Sequence, residues 1–216
     1  HPSYLRVGGK LVFKIHSAHH FALDNGDDPA REKRQLDQLR ASVKEAGLGE
    51  MLVGGGVMGG SVVGQDWPAA KLFDFTNTYM DLPKLEQKPE DYPFQELAKA
   101  IRQWNAQQAK SALPYVPFMA AGFNARPWRD KRPAFAFPTA AEFEAELRQI
   151  AADLDANPRF GLPLLGGGRQ KLFTIYAWNE FGEGGIVAPT KGEGMTKLEA
   201  IERVFGRAPR DAKADR

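Results

Sequence analysis

The feature that most constrains this chain is the repeated alternation of short β-rich apolar runs with segments of helical periodicity. Leu11-Val12-Phe13-Lys14-Ile15-His16 follows Gly8-Gly9, and the charged stretch from Asp28 to Ala46 then reads as an amphipathic helix closed by Gly47. Met51-Leu52-Val53 runs into Gly54-Gly55-Gly56, and a short helical candidate over 68–72 precedes the apolar run Phe73 to Asn77. Leu97, Ile101 and Trp104 place a helix over Phe94 to Lys110, and Tyr115 to Met119 forms a fourth run that Pro117 weakens as a strand. Thr139 with Glu142 predicts a capped helix that carries Phe143, Leu147, Ile150 and Leu154 on one face. Leu172 to Tyr176 is a fifth strand candidate, and Leu198, Ile201 and Val204 mark a closing helix over Met195 to Phe205.

Strands alternating with helices imply parallel strands joined by right-handed crossovers, in either an open doubly wound sheet or a closed barrel. Periodicity does not choose between the two. A full eightfold barrel takes about 250 residues, roughly 30 per unit. Five units here leave about three unaccounted for, and the start at His1-Pro2-Ser3-Tyr4, almost directly before a strand, predicts that they precede this chain. In both architectures ligands gather at the carboxyl ends of the strands, so polar residues just after each run are the candidates for function.

Composition removes several classes of function. The chain has 29 Lys+Arg against 27 Asp+Glu, and its last ten residues are basic, so the body from 1 to 206 is balanced and the segment 207–216 reads as a disordered tail. A balanced body provides no broad positive field for nucleic acid or anionic lipid, and a neutral ligand suits it better. No apolar run approaches the roughly 20 residues that span a bilayer. Zero cysteines exclude disulfides, zinc-thiolate sites and thiol catalysis, and leave the compartment open.

The densest polar and aromatic cluster follows the fifth run: Ala177-Trp178-Asn179-Glu180-Phe181-Gly182-Glu183-Gly184-Gly185. Two carboxylates three residues apart at a strand end can point into one cleft, close enough for one to stay protonated while the other is charged. Glycosidic cleavage needs that division, one acid for the departing oxygen and one base or nucleophile. Trp178 and Phe181 would be apolar walls for sugar rings, and Asn179 would hold a hydroxyl or orient a carboxylate. Taken alone, a Glu-x-x-Glu pair is more often solvated surface and a tryptophan more often core. The strand context, the Trp-Asn pair and the flanking glycines favour the functional reading.

Trp178-Asn179-Glu180-Phe181-Gly182-Glu183-Gly184, followed by Ile186, Pro189, Gly194 and Leu198-Glu199-Ala200-Ile201, resembles the C-terminal signature of the endo-α-mannosidase-like glycoside hydrolase family 99 and the related WbsX-type bacterial proteins. A more diffuse similarity runs from Tyr4-Leu5-Arg6-Val7, Gly9 and Lys10 through Phe73-Asp74 and Tyr79 to Gly122-Phe123-Asn124. The resemblance implies a (β/α)₈ barrel of which this chain is the C-terminal five-unit portion. It also implies action on α-linked sugars with retention and without metal or organic cofactor. By it, Glu180 would assist the substrate's own 2-hydroxyl as base and Glu183 would act as general acid and then base. Asn124 stands where the family commonly carries an acid, which puts substrate identity in doubt and keeps Asn124 as a substrate contact.

Other residues are candidates beside this cluster. His16, His19 and His20 follow the first strand, but no carboxylate stands at a diagnostic metal-ligand spacing, so His16 is preferred as a sugar contact and the others as loop polar groups. The glycines at 54–56 and 59–60 match no phosphate-binding pattern and read as tight turns. Tyr79 and Trp128 are candidates for the rim of a sugar groove, and the basic run Arg126, Arg129, Lys131 and Arg132 reads as a solvated loop, contact with acidic sugars being the alternative. The leading expectation is a glycoside hydrolase. Its rivals are a glycosyltransferase-like polysaccharide-assembly protein and a carbohydrate-binding remnant without turnover.

Overall fold

A computed structural model describes residues 1, 3–57, 72–164 and 166–206. The helical candidate at 68–72 falls, except for Leu72, outside these residues, as do the glycines at 59–60 and the tail 207–216. The chain divides into two compact units, His1–Pro83 with Ala100–Phe118 and Leu154–Thr174, and Lys84–Lys99 with Met119–Asp153 and Ile175–Arg216.

The first unit is organised on a five-stranded sheet. β1 (Arg6–Val7) and β2 (Lys10–Ile15) form an antiparallel hairpin that turns at Gly8 and Gly9, whose φ values of 55° and 80° are open to glycine at little cost. β2 then pairs in parallel with β3 (Met51–Val57), β3 with β4 (Phe75–Thr78), and β4 with β5 (Tyr115–Val116). Between β2 and β3 lie α1 (Ala18–Asp24), capped by Ser17, and α2 (Pro29–Glu45), capped by Asp28, whose carboxylate accepts from the Ala30 amide at 2.9 Å.

Strand alternation sorts the side chains to two faces. Leu11, Met51 and Val53 pack with Ala18, Leu36 and Phe73 on the helix-covered side, joined by Phe21, Leu39 and Val43. Val12 and Leu52 turn the other way and join Val7, Phe75, Val116 and Leu162. Each fully buried side chain of this size contributes about 1.5–3 kcal/mol. α3 (Phe94–Gln108) begins in the second unit and continues into the first, where Trp104 Nε1 and the Tyr115 hydroxyl both donate to Thr78 Oγ1 at 2.8 and 3.1 Å.

The expected five-unit parallel portion of a (β/α)₈ barrel is not what the chain forms. The sheet is mixed, because β1 runs antiparallel, and the fifth expected strand does not join it. Proline explains part of the difference. Pro117 has no N–H to give to a ladder, and it divides the fourth apolar run into β5 and β6 (Phe118–Ala120). The fifth run shortens to β9 (Thr174–Tyr176), which pairs with β6 in a separate two-stranded sheet. The Thr174 amide donates to Pro117 O at 3.0 Å. A further hairpin, β7 (Leu162–Pro163) with β8 (Arg169–Gln170), belongs to the first unit.

In the second unit α4 (Ala140–Ala156) starts at the expected capping box. The Glu142 amide donates to Thr139 Oγ1, and the Glu142 carboxylate accepts from the Thr139 amide at 2.8 Å. Phe143, Leu147 and Ile150 are buried along one face. The hairpin of β10 (Asn179–Glu180) and β11 (Gly185–Ile186) precedes α5 (Thr196–Phe205). No helix among the described residues is long and apolar enough to cross a membrane.

Candidate functional site

The hairpin β10–β11 sets Glu180 and Glu183 in one tight turn. Asn179 pairs with Ile186 and Glu180 with Gly185, and the Glu183 amide closes the turn by donating to Glu180 O at 3.1 Å. Glycine decides what surrounds this turn. A Cβ on Gly182 would fall inside the Trp128 indole, and one on Gly185 would strike the Tyr176 ring, so the glycines let two aromatic rings close directly on the backbone that carries Glu183. The Asn124 amide donates to Glu183 O at 2.7 Å and brings the 122–124 segment against the same turn.

The Glu183 carboxylate is anchored on both oxygens, its side chain only 15% exposed. Arg132 Nη2 donates to Oε1 at 2.6 Å, and the Tyr176 hydroxyl donates to Oε2. Arg132 also binds Asp130 at 2.7 Å, and its guanidinium lies 4.9 Å from the centre of the Phe123 ring. The Asp130 hydrogen bond first, and Glu183 after it, raise the arginine above its ordinary value, whereas the Arg132 hydrogen bond holds the Asp130 carboxyl below the usual carboxylate range. One cation therefore sits between two carboxylates. Glu180 is half-buried at the end of β10.

Aromatic surface frames the turn. Trp128, Trp178 and Phe181 are 60%, 56% and 58% exposed, high values for side chains of this size. Trp128 ends a 3-10 turn, Arg126–Trp128, after which Arg129 adopts a left-handed conformation at φ 56°. Asn124 Nδ2 donates to Asp91 Oδ2 at 3.1 Å, and Arg126 pairs with the same carboxylate at 2.9 Å while also donating to Lys88 O. Asp91 thus ties the Asn124 and Arg126 side chains together.

Of the residues singled out from sequence, Glu180, Glu183, Asn124, Trp128, Trp178 and Asn179 lie in the second unit, and His16 and Tyr79 lie in the first. His16 is exposed just beyond β2, outside α1, and its ring meets Tyr79 edge-on at 4.9 Å. His19 and His20 stand in the first turn of α1, and no group of three or more His, Cys, Asp or Glu among the described residues is placed to hold a metal. Three sequence readings change, the first being that His19 and His20 belong to a helix and not to a loop. Arg126 and Arg132 are ion-paired rather than merely solvated. Gly54, Gly55 and Gly56 lie within β3, where the Phe75 ring, the Phe73 ring and the His16 carbonyl occupy the space a side chain would need.

Tyr176, Asp91 and Asp130 are members of the site that sequence reasoning missed. Tyr176 reads as the buried last residue of an apolar run, and the phenol that reaches Glu183 leaves no periodic signal. A cavity of about 390 Å³ in the first unit, lined in part by Pro114, Arg159 and Arg169, contains none of the candidate residues. No family model matches the chain, and no curated protein and no solved structure matches it.

Proposed function

We propose that the second unit carries the carboxylate pair of a carbohydrate-active enzyme that cleaves an α-linked glycan, with Glu180 and Glu183 as its catalytic groups. The observation that supports this reading is the set of three exposed aromatic side chains, Trp128, Trp178 and Phe181, around a turn that holds two glutamates, one of them anchored by Tyr176 and Arg132. Aromatic faces suit the apolar faces of sugar rings, and a carboxylate pair suits acid–base cleavage of a glycosidic bond.

The geometry favours a particular division of labour. Both Glu183 oxygens accept hydrogen bonds, one from an obligate donor, which suits a charged base or nucleophile better than a proton donor. Glu180 then serves as the acid, the reverse of the roles implied by the family resemblance. Asn179 and Asn124, beside the turn, are proposed hydroxyl contacts. The experiment is turnover of end-labelled α-linked oligosaccharides by the wild type, Glu180→Gln and Glu183→Gln, without any nucleotide sugar. Loss of turnover in both variants with unchanged melting supports the reading, and full activity in both rejects it.

A second reading rests on the same anchoring. A glutamate tied on both oxygens can be a structural strut for an aromatic binding surface, and the unit then holds glycans without cleaving them. Saturable glycan binding that needs Trp128 and Trp178, with no turnover by the wild type, selects this second reading.

A further inference from the structure

The first unit has a polar layer of its own at the carboxyl edge of its parallel strands. Lys14 and Val12 share one face of β2, and Val12 packs into the apolar layer of Leu52, Phe75 and Val116. Lys14 is thus the next side chain up from an apolar floor. It stands opposite Gly54 on β3, where there is no side chain and the Phe75 ring fills the place of a Cβ. The lysine stem can therefore cross β3, and Nζ reaches Asn77 Oδ1 on β4 at 2.6 Å.

Asn77 is buried and its amide is oriented. Nδ2 donates to Val116 O at 2.8 Å and to Thr174 Oγ1 at 3.0 Å, which leaves the oxygen turned to Lys14. The Tyr79 ring lies 5.8 Å from Nζ, and His16 stands edge-on to that ring. Among the described residues no carboxylate forms an ion pair with Lys14. Burial lowers its pKa to about 8, so at neutral pH the charged form still predominates by about ten to one. A half-buried ammonium has three donors, and one of them is used on Asn77.

Ligands of parallel sheets gather at this edge, and an uncompensated cation there is stabilised by any anion that arrives with its own charge. We propose that the layer of Lys14, Asn77, Tyr79 and His16 recognises the anionic group of a small ligand, a carboxylate or a phosphate, with the Lys14 ammonium as counter-charge. Asn77 positions the ammonium, and the Tyr79–His16 pair flanks it. The site stands on the first unit alone and does not depend on the reading of Glu180 and Glu183.

The test is calorimetric titration of the whole chain at low ionic strength with glucuronate, inorganic phosphate and glucose, the last as a neutral analogue of the first. Saturable binding of glucuronate or phosphate without binding of glucose is expected, and whichever anion binds names the group. Lys14→Met should weaken that binding at least tenfold, and Lys33→Met, which removes an exposed lysine on α2, should leave it unchanged. Melting curves establish that each variant folds. If Lys14→Met does not fold, the Lys14 side-chain resonance of the wild type, identified by nuclear magnetic resonance, must move on adding the anion. Equal binding of glucose, equal loss in Lys33→Met, a static Lys14 resonance, or no anion bound at about 10 mM overturns the proposal.

Discussion

The turn that carries Glu183 and the strand edge that carries Lys14 treat a cation in opposite ways. Arg132 is held between two carboxylates supplied by the chain, so its charge is compensated before any ligand arrives. Lys14 is met by a neutral amide, and burial lowers its pKa to about 8. The difference shows what each charge is fitted to do. A guanidinium locked to Glu183 fixes the orientation of a carboxylate, whereas an ammonium held by Asn77 keeps its charge for a partner from outside.

Several experiments break or sharpen this contrast. The largest effect belongs to Glu183: replacing it by Gln keeps the shape and removes the charge, and should lower turnover of a cleaved glycan about 10²- to 10⁴-fold, the range for loss of an acid–base group. Steady-state rates on labelled oligosaccharide check it, with the melting temperature as control. Next comes Arg132→Met, which leaves Asp130 and Glu183 facing each other without their shared cation. About 0.5–1.5 kcal/mol of stability should be lost, because solvent screens a pair whose arginine is exposed, measured by urea unfolding. A loss near zero would place Arg132 among ordinary surface pairs.

Gly182→Ala tests the aromatic frame. The new methyl must displace the Trp128 indole, which is exposed, so the expected stability cost is about 1 kcal/mol, the low end for overpacking. Tryptophan fluorescence should shift, and glycan affinity should fall by more than stability does. The smallest effect is expected at Lys14, and its sign follows from its lowered pKa. Between about pH 8 and the ordinary lysine value of 10.5 the unfolded chain binds the proton that the folded chain has lost, so stability rises with pH across that window. Unfolding of the wild type and Lys14→Met from pH 7 to 10.5 should show the wild type gaining on the variant. A constant difference would mean that Lys14 is not desolvated.

Local structure was largely legible. The capping box at Thr139 and Glu142, the helix opened by Asp28, and the apolar spacing of Phe143, Leu147 and Ile150 are short-range patterns, and each appears where expected. The association of the strands was less so. A β-rich run announces a strand without naming its neighbours, and Pro117 shows how one missing N–H sends half of such a run to a different sheet. The cluster from Trp178 to Gly185 drew attention because its unusual residues are adjacent in sequence. Tyr176, Asp91 and Asp130 did not, and Arg132 stood out only as part of a basic run, because contacts such as that between positions 132 and 183 have no sequence periodicity.

By itself the sequence determined where several of the helices start, that cysteine chemistry is absent, and that two glutamates stand three residues apart among glycines after the fifth apolar run. Only the tertiary structure decided that Glu183 accepts from Tyr176 and Arg132, that the fifth apolar run leaves the main sheet, and that Lys14 reaches over a glycine to Asn77. The reason is range. Capping, turn formation and periodic burial act over a few residues, whereas charge compensation and strand pairing depend on groups that become neighbours only after the chain has folded.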